Sequence, residues 1–217
     1  METVAVIDYG VSNLRSVAKA LEHVAGGRHR IEVTGDLGAI SRAARVVFPG
    51  QGAIGQCMAS LADRGLVETL RAALVAKPFL GICLGLQSLM DRSDEDGGTA
   101  CLGLIPGRAV RFPGDLVDPA SGARLKIPHM GWNRVQPAGP HPLWAGIEPG
   151  TRFYFVHSYH VVPDRSADIA ATTDHGVRFV SAVMHGNLFA IQFHPEKSQA
   201  AGLRLLANFL DWNGELR

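Results

Sequence analysis

The 217-residue chain is 47% hydrophobic and 19% charged, with a net charge of +1, a composition typical of globular rather than disordered proteins. Its 21 basic residues are scattered, so no basic stripe predicts binding to nucleic acid or to an anionic membrane surface. The sequence contains no apolar run of about 18 residues that predicts a transmembrane helix, and its opening Met1-Glu2-Thr3 does not predict a secretory signal. Its three cysteines form no CxxC pair, which argues against a disulfide framework or a zinc site and favours a reducing, cytoplasmic setting. We expect one domain over residues 1–217.

The first half of the chain alternates predicted strands with predicted helices. Short apolar runs predict strands over residues 3–8, 30–33, 45–48 and 78–83. The helical spacing of apolar residues predicts a helix N-capped by Ser12, a helical region over 54–75 interrupted near Gly65, and a helix over 84–91. This alternation predicts an α/β fold with a mostly parallel central sheet and helices on both faces.

The second half has a different pattern. Proline and glycine recur from residue 106 to 149, and strand-like runs then cover residues 152–162, 169–173, 177–184 and 188–193. The sequence His185-Gly186-Asn187 is typical of a tight hairpin turn. We therefore expect a smaller antiparallel β section, followed by a closing helix over 198–212.

A candidate nucleophile lies in the segment Gly81-Ile82-Cys83-Leu84-Gly85. A cysteine at a strand-to-helix junction, with a glycine two residues away on each side, matches the nucleophile elbow of hydrolases. A sharp turn would hold Cys83 in an unusual backbone conformation, and side chains at the glycine positions would collide with neighbouring strands. An isolated motif of this kind is also compatible with an inert, buried cysteine.

A candidate base lies in Gln192-Phe193-His194-Pro195-Glu196, at the end of a predicted strand. Residues two apart in an extended segment point to the same face, so His194 and Glu196 are expected to lie side by side. Such a pair can act as a general base and the carboxylate that orients it. The alternative is a histidine at a strand end followed by a solvated glutamate.

The other histidines do not predict a metal site. His157 and His160 are three residues apart in a predicted strand and are expected on opposite faces. Polar or turn contexts predict surface positions for His23, His29, His141 and His175.

The turn Pro49-Gly50-Gln51-Gly52 follows the third predicted strand. Small residues there would let backbone N–H groups of Gly50, Gln51 and Gly52 approach a substrate oxyanion, with the Leu84 N–H as a second donor. The carboxyl ends of parallel strands are also where ligands bind. On its own, the string would indicate only a tight turn.

Together, GICLG, the later FHPE and the earlier PGxG resemble class I (triad-type) glutamine amidotransferases, over nearly the whole chain. Further strings are similar to the glutaminase subunits of imidazole glycerol phosphate synthases. They are IDYG and SNL near the start, PGQGA at 49–53, PHMGWN at 128–133, FYFVHSY at 153–159 and FHPEKS at 193–198. HMGWN is the most discriminating of them. Gln51 stands where some members carry an apolar residue.

The resemblance implies that Cys83, His194 and Glu196 hydrolyse L-glutamine through a thioester, without a metal or organic cofactor. It implies a heterodimer with a (β/α)₈-barrel cyclase subunit, which uses the ammonia to make imidazole glycerol phosphate and AICAR in histidine biosynthesis. Glutamine contacts are implied for Gln87, Ser158 and Tyr159, and partner contacts for Asn13, Trp132, Asn133 and Lys197. Activation by the ligand-bound partner is expected to act through residues 49–52.

Three alternatives remain open at this point. The chain could be a glutaminase for another pathway, such as chorismate amination or pyridoxal phosphate synthesis. It could be a non-catalytic protein on the same fold, or a free-standing thiol hydrolase. The HMGWN string and the complete triad argue against them.

Overall fold

The computed structural model describes residues 1–10 and 14–215 of the chain. Within these ranges the chain forms fourteen strands and six α-helices. The strands are β1 (Glu2–Ile7), β2 (His29–Thr34), β3 (Arg45–Gly50), β4 (Phe79–Cys83), β5 (Arg92–Ser93), β6 (Thr99–Ala100), β7 (Gly107–Arg111), β8 (His129–Arg134), β9 (Gln136–Pro137), β10 (Arg152–His157), β11 (Tyr159–Pro163), β12 (Ile169–Asp174), β13 (Arg178–His185) and β14 (Leu188–Ile191). The helices are α1 (Leu14–Ala25), α2 (Leu37–Arg42), α3 (Ile54–Asp63), α4 (Leu66–Ala76), α5 (Leu84–Gln87) and α6 (Gln199–Asp211).

Five parallel strands form the half of the main sheet that carries the elbow, in the order β2-β1-β3-β4-β14. Alternate residues of β1, β3, β4 and β14 are buried in two separate cores, as the two-residue period of a strand requires. In β1, Val4 and Val6 belong to the core shared with α1 and α6. Ala5 and Ile7 belong to the core shared with α2, α3 and α4. Helices therefore cover both faces, and the predicted α/β fold is confirmed.

The antiparallel section extends the same sheet. Strand β13 pairs antiparallel with β14, β11 and β12, and β7 follows beyond β11. A separate two-stranded sheet joins β8 to β10, and the Tyr154–His194 bridge attaches it to the segment after β14. Among the described residues, no helix is long and apolar enough to span a membrane.

Several predicted elements differ from the structure. Helix α5 ends at Gln87 rather than at residue 91, because the Leu89 and Met90 N–H groups donate to carbonyls three residues back rather than four. The predicted strand over 152–162 is two strands, broken at Ser158, because β10 pairs with β8 and β11 with β7. Helix α2 and strand β8 were not predicted. The proposed cap Ser12 lies outside the described residues.

Candidate active site

Cys83 is the last residue of β4 and adopts a strained backbone conformation, with φ 55° and ψ −108°. For a residue other than glycine, such a conformation costs about 1–3 kcal/mol and persists only where the surroundings impose it. A Cβ at Gly81 would lie 2.9 Å from the Cβ of Ala190 in β14. A Cβ at Gly85 would lie 2.0 Å from the carbonyl oxygen of Phe48 in β3. The predicted steric reason for both glycines is confirmed.

His194 and Glu196 form a buried pair, with Nδ1 of His194 2.9 Å from Oε1 of Glu196. Their side chains are 2% and 1% exposed. An ionised carboxylate can only accept a hydrogen bond, so Nδ1 carries the proton and Nε2 is left for Cys83. The pair meets because Pro195–Lys197 forms a 3₁₀ turn, and not through the extended backbone that the sequence suggested.

The surroundings of His194 favour the protonated form of its imidazole. Burial lowers the pKa of His194, but hydrogen bonds to Cys83 and Glu196 and the charges of those groups raise it more, so the pKa ends above 6.5. Nε2 nevertheless has no partner of strict hydrogen-bond geometry among the described residues. Cys83 and His194 line the same cavity, and hydrogen bonds between catalytic groups often form only when substrate binds.

Backbone contacts fix the position of His194. Its N–H donates to the Tyr154 carbonyl at 2.9 Å. The buried hydroxyl of Ser198 donates to the His194 carbonyl at 2.6 Å and accepts from the Tyr154 N–H at 3.0 Å. Helix α6 packs so closely on the turn that a Cβ at Gly202 would lie 1.9 Å from the Pro195 carbonyl oxygen. The backbone of His194 is thus held on both sides, by the Tyr154 carbonyl and by the Ser198 hydroxyl.

The predicted oxyanion turn lies beside the elbow. Gly50 ends β3 and pairs in register with Cys83. A Cβ at Gly50 would lie 2.7 Å from the Leu84 Cβ, so glycine permits this close packing. Gly52 has φ +93°, a conformation that favours glycine. Gln51 and Gly52 face the same cavity as Cys83.

A cavity of about 420 Å³ opens above the elbow, within the range of about 300–1,000 Å³ typical of ligand pockets. It brings together most of the residues singled out in the sequence, namely Gln51, Gly52, Cys83, Leu84, Gln87, Ser158, Tyr159, His194 and Lys197. Gly50 and Glu196 lie behind Leu84 and His194 and do not line it. The arrangement places a thiol, an imidazole and backbone donors around one space, which is suited to amide hydrolysis.

The family model of class-I glutamine amidotransferases matches residues 5–212. The chain belongs to this family. The imidazole glycerol phosphate synthase subunit HisH of Methylococcus capsulatus is 59% identical over 213 residues, covering 98% of this chain and 97% of that protein. The HisH subunit of Aromatoleum aromaticum is 57% identical over 212 residues, covering 98% and 99%.

Solved structures share the fold of this amidotransferase at low identity. A putative GMP synthase subunit from Thermoplasma acidophilum matches with a TM-score of 0.68 and 19% identity, covering 97% of this chain and 93% of that chain. At such identity the likeness shows the fold alone.

Sequence reasoning missed one acidic residue of the amidotransferase cavity. Glu95 lines the cavity, and its Oε2 accepts a hydrogen bond of 2.8 Å from the Ile54 N–H at the start of α3. A carboxylate at this position can also pair with the α-ammonium group of an amino acid. In the sequence, Glu95 stands in the acidic, glycine-containing segment 93–98, and the fold brings it next to the oxyanion turn.

The predicted partner-contact residues have different environments in this amidotransferase. Trp132 is 42% exposed, and its ring lies 6.2 Å from that of Tyr154. Lys197 Nζ lies 5.9 Å from the centre of the Tyr154 ring. The Asn133 side chain instead donates within the chain, to the Asp174 carbonyl at 2.8 Å. Asn13 lies outside the described residues.

Two expectations about the histidines of this amidotransferase were wrong. His141 is only 7% exposed, because its ring packs 4.4 Å from that of Phe189. His157 and His160 do not lie on opposite faces, since both rings pack against Phe112, at 5.3 and 4.6 Å. Because the strand is broken at Ser158, His157 and His160 do not follow the alternation of faces expected along one continuous strand.

The His157 ring is part of a buried imidazole pair. Its Nε2 lies 2.9 Å from Nδ1 of His129, and burial lowers the pKa of both histidines to about 3. Both are therefore neutral near neutral pH. Among the described residues, no group of three or more His, Cys, Asp or Glu side chains could hold a metal ion.

Proposed function

We propose that this chain is the glutaminase subunit of an imidazole glycerol phosphate synthase and that residues 1–217 form one amidotransferase domain. It hydrolyses L-glutamine to glutamate and ammonia through a γ-glutamyl thioester on Cys83. The observation that carries the proposal is that His194, paired with the buried carboxylate of Glu196, lines the same cavity as Cys83. The names of the relatives that are 59% and 57% identical support the choice of synthase.

The first half of the reaction forms the thioester. His194 Nε2 holds the thiol proton while the Cys83 sulfur attacks the side-chain amide carbon of glutamine. Backbone N–H groups of Leu84 and of the 50–52 turn stabilise the oxyanion. Glu196 stabilises the imidazolium, which then gives its proton to the departing nitrogen. The carbon–nitrogen bond breaks and ammonia is released.

The second half of the reaction restores the thiol. His194 takes a proton from water, which attacks the thioester carbonyl, and the same backbone donors stabilise the second oxyanion. The carbon–sulfur bond breaks, Cys83 recovers its proton from His194, and glutamate leaves. The cycle consumes one water and uses no metal or organic cofactor.

Glutamine binding requires groups for its amide, its α-carboxylate and its α-ammonium. Gln87, Ser158 and Tyr159 line the cavity on one side and provide hydrogen-bonding groups for the substrate. Glu95 supplies a negative charge for the α-ammonium, and Lys197 supplies a positive charge in the same cavity. These charges favour a zwitterionic amino acid over a peptide.

The ammonia passes to a (β/α)₈-barrel cyclase subunit, with which the chain forms a cytoplasmic heterodimer. The partner contacts Asn13, Trp132, Asn133 and Lys197. Two observations support this surface. On strand β8, Met130 and Trp132 expose 62% and 42% of their surface. Lys197, whose Nζ lies 5.9 Å from the centre of the Tyr154 ring, also lines the cavity and so lies between it and this exposed surface.

The test uses Cys83→Ala in the complex with the cyclase subunit. We expect glutamine-dependent synthesis of imidazole glycerol phosphate to be lost, while synthesis from added ammonium salt continues. Retained glutamine-dependent synthesis would exclude Cys83 as the nucleophile. Loss of both activities would show that Cys83 supports the structure of the complex instead.

A further inference from the structure

The side chain of Gln192 lies against the sulfur of Cys83. Gln192 follows β14, is fully buried, and its Nε2 lies 3.6 Å from the Cys83 Sγ, within hydrogen-bond distance for sulfur. Its backbone N–H donates to the Ser181 carbonyl at 2.9 Å, which fixes the main chain at this point. The mechanism described above gives this residue no role.

A chain of hydrogen bonds determines which end of the Gln192 amide faces the sulfur. Gln87 Nε2 lies 3.0 Å from the Tyr159 carbonyl oxygen, which can only accept. The atom of Gln87 at that point is therefore its NH₂ group. The same group lies 3.1 Å from Oε1 of Gln192, so that atom is an acceptor. The other end of the Gln192 amide, which faces Sγ, must then be an N–H donor.

The Tyr159 carbonyl, which anchors this series of hydrogen bonds, is itself held in place. The Tyr159 carbonyl also accepts from Nδ1 of His157 at 2.8 Å, and His157 is held by His129. Gln87 is 4% exposed, so both amides are shielded from competing water. Rotating either amide by half a turn would set two donors or two acceptors against each other, which costs free energy in a buried site.

We propose that Gln192 is a hydrogen-bond donor to the nucleophilic sulfur, stabilising its thiolate form and holding it in position for attack. The proposal deepens the proposed function, because it rests on Cys83 as the nucleophile. A hydrogen bond to a charged acceptor is stronger than one to a neutral acceptor, so the Gln192 N–H favours the thiolate over the thiol. Because the donor is a neutral amide, it supplies this effect without titrating itself.

Other groups also act on the sulfur, and the test must leave them unchanged. His194, which pairs with Glu196 at 2.9 Å, lines the same cavity as Cys83. The remaining titratable or charged groups that line the same cavity are Glu95, His157, Tyr159 and Lys197. Replacing Gln192 by methionine, which has a similar length and no N–H, removes the donor and retains all of them.

The experiment measures the rate at which iodoacetamide alkylates Cys83 in the full chain, as a function of pH, by mass spectrometry of the Cys83 peptide. For Gln192→Met we expect a rate about tenfold lower below the midpoint of the profile and a midpoint roughly one pH unit higher. The two profiles should meet at high pH, where the thiol is fully ionised in both proteins.

Ser181→Ala is the matched control, because Ser181 is equally buried next to Gln192 and its hydroxyl makes no hydrogen bond among the described residues. Its profile should superimpose on that of the unaltered chain. An unchanged profile for Gln192→Met, or an equal shift for Ser181→Ala, would overturn the proposal.

A second variant covers the case in which Gln192→Met does not fold, as judged by circular dichroism. Gln87→Met retains Gln192 but removes the donor that fixes its amide, and should shift the midpoint upward by a smaller amount. No shift in that variant would refute the proposal. Alkylation needs no glutamine, so a failure of the proposed function would appear in the Cys83→Ala assay and not in this one.

Discussion

One added methyl group at Gly202 should displace the turn that carries His194 and Glu196. A Cβ at this position would lie 1.9 Å from the oxygen and 2.7 Å from the carbon of the Pro195 carbonyl. Cβ atoms essentially never approach other atoms within 3.0 Å, so helix and turn must separate by about 1 Å. Both contacting atoms belong to the backbone, and no side chain can rotate away to relieve them.

The structure sets the expected size of the effect of Gly202→Ala. Overpacking of a well-packed core costs about 1–3 kcal/mol, so the free energy of unfolding should fall by about 2 kcal/mol. A displacement of about 1 Å in a catalytic group can lower the rate about hundredfold. Because His194 and Glu196 move together with the turn, we expect glutamine hydrolysis to fall by about that factor.

Glutamine hydrolysis would be measured in the complex with the cyclase subunit, and stability by urea denaturation of the isolated chain. Gly55→Ala is the matched control, since a Cβ at Gly55 in α3 would meet nothing closer than 3.7 Å. Alanine there should leave the rate unchanged and alter stability by less than about 1 kcal/mol. A Gly202→Ala protein with unaltered rate and stability would refute the packing argument.

Two further substitutions test the support of the site and its pH dependence. Ser198→Ala removes a hydroxyl that bonds two backbone groups, the His194 carbonyl and the Tyr154 N–H. It should lower the free energy of unfolding by about 2 kcal/mol in urea denaturation, and a loss no larger than that of Ser181→Ala would contradict this. Burial lowers the pKa of His141 from 6.5 to about 4. The neutral, buried His141 therefore stabilises the fold fully above pH 6.5, and this stabilisation is lost as the pH falls from 6.5 to about 4. His141→Phe should therefore reduce the slope of stability against pH in this window by about 1.4 kcal/mol per unit, and an unchanged slope would show that His141 does not titrate on unfolding.

The parallel half of the fold was predictable because local pattern and tertiary environment agree there. Strands β1, β3 and β4 are short apolar runs, and each has both faces covered. The elbow was predictable for a similar reason, since the two glycines around Cys83 are required by contacts with adjacent strands.

Other parts of the fold depend on tertiary partners that local patterns do not reveal. Strand β8 exists only because it pairs with β10, and it lies within the stretch where proline and glycine recur as in a loop. Residues 88–91 have a helical pattern, but their carbonyls serve the segment after residue 100. The short helix α2 depends on its cap, in which Asp36 accepts from the Ala39 N–H at 2.7 Å.

The functional site likewise combines residues that local patterns predict with residues that only the folded structure brings together. The His194–Glu196 pair was predicted for the wrong reason, because a 3₁₀ turn rather than an extended strand brings the side chains together. Gln192 reaches the Cys83 sulfur from 109 residues away in the sequence, and Glu95 reaches the cavity through a loop outside the elbow. No spacing rule connects residues that meet only after the sheet has formed.

The strained backbone of Cys83 also determines which variants isolate the role of its sulfur. The penalty for φ 55° applies to every residue with a Cβ, so alanine at position 83 keeps the cost that cysteine bears. Glycine would remove that cost and stabilise the chain, which would mix a gain in stability with the loss of the thiol. Alanine is therefore the substitution that removes the thiol while leaving the backbone strain at position 83 unchanged.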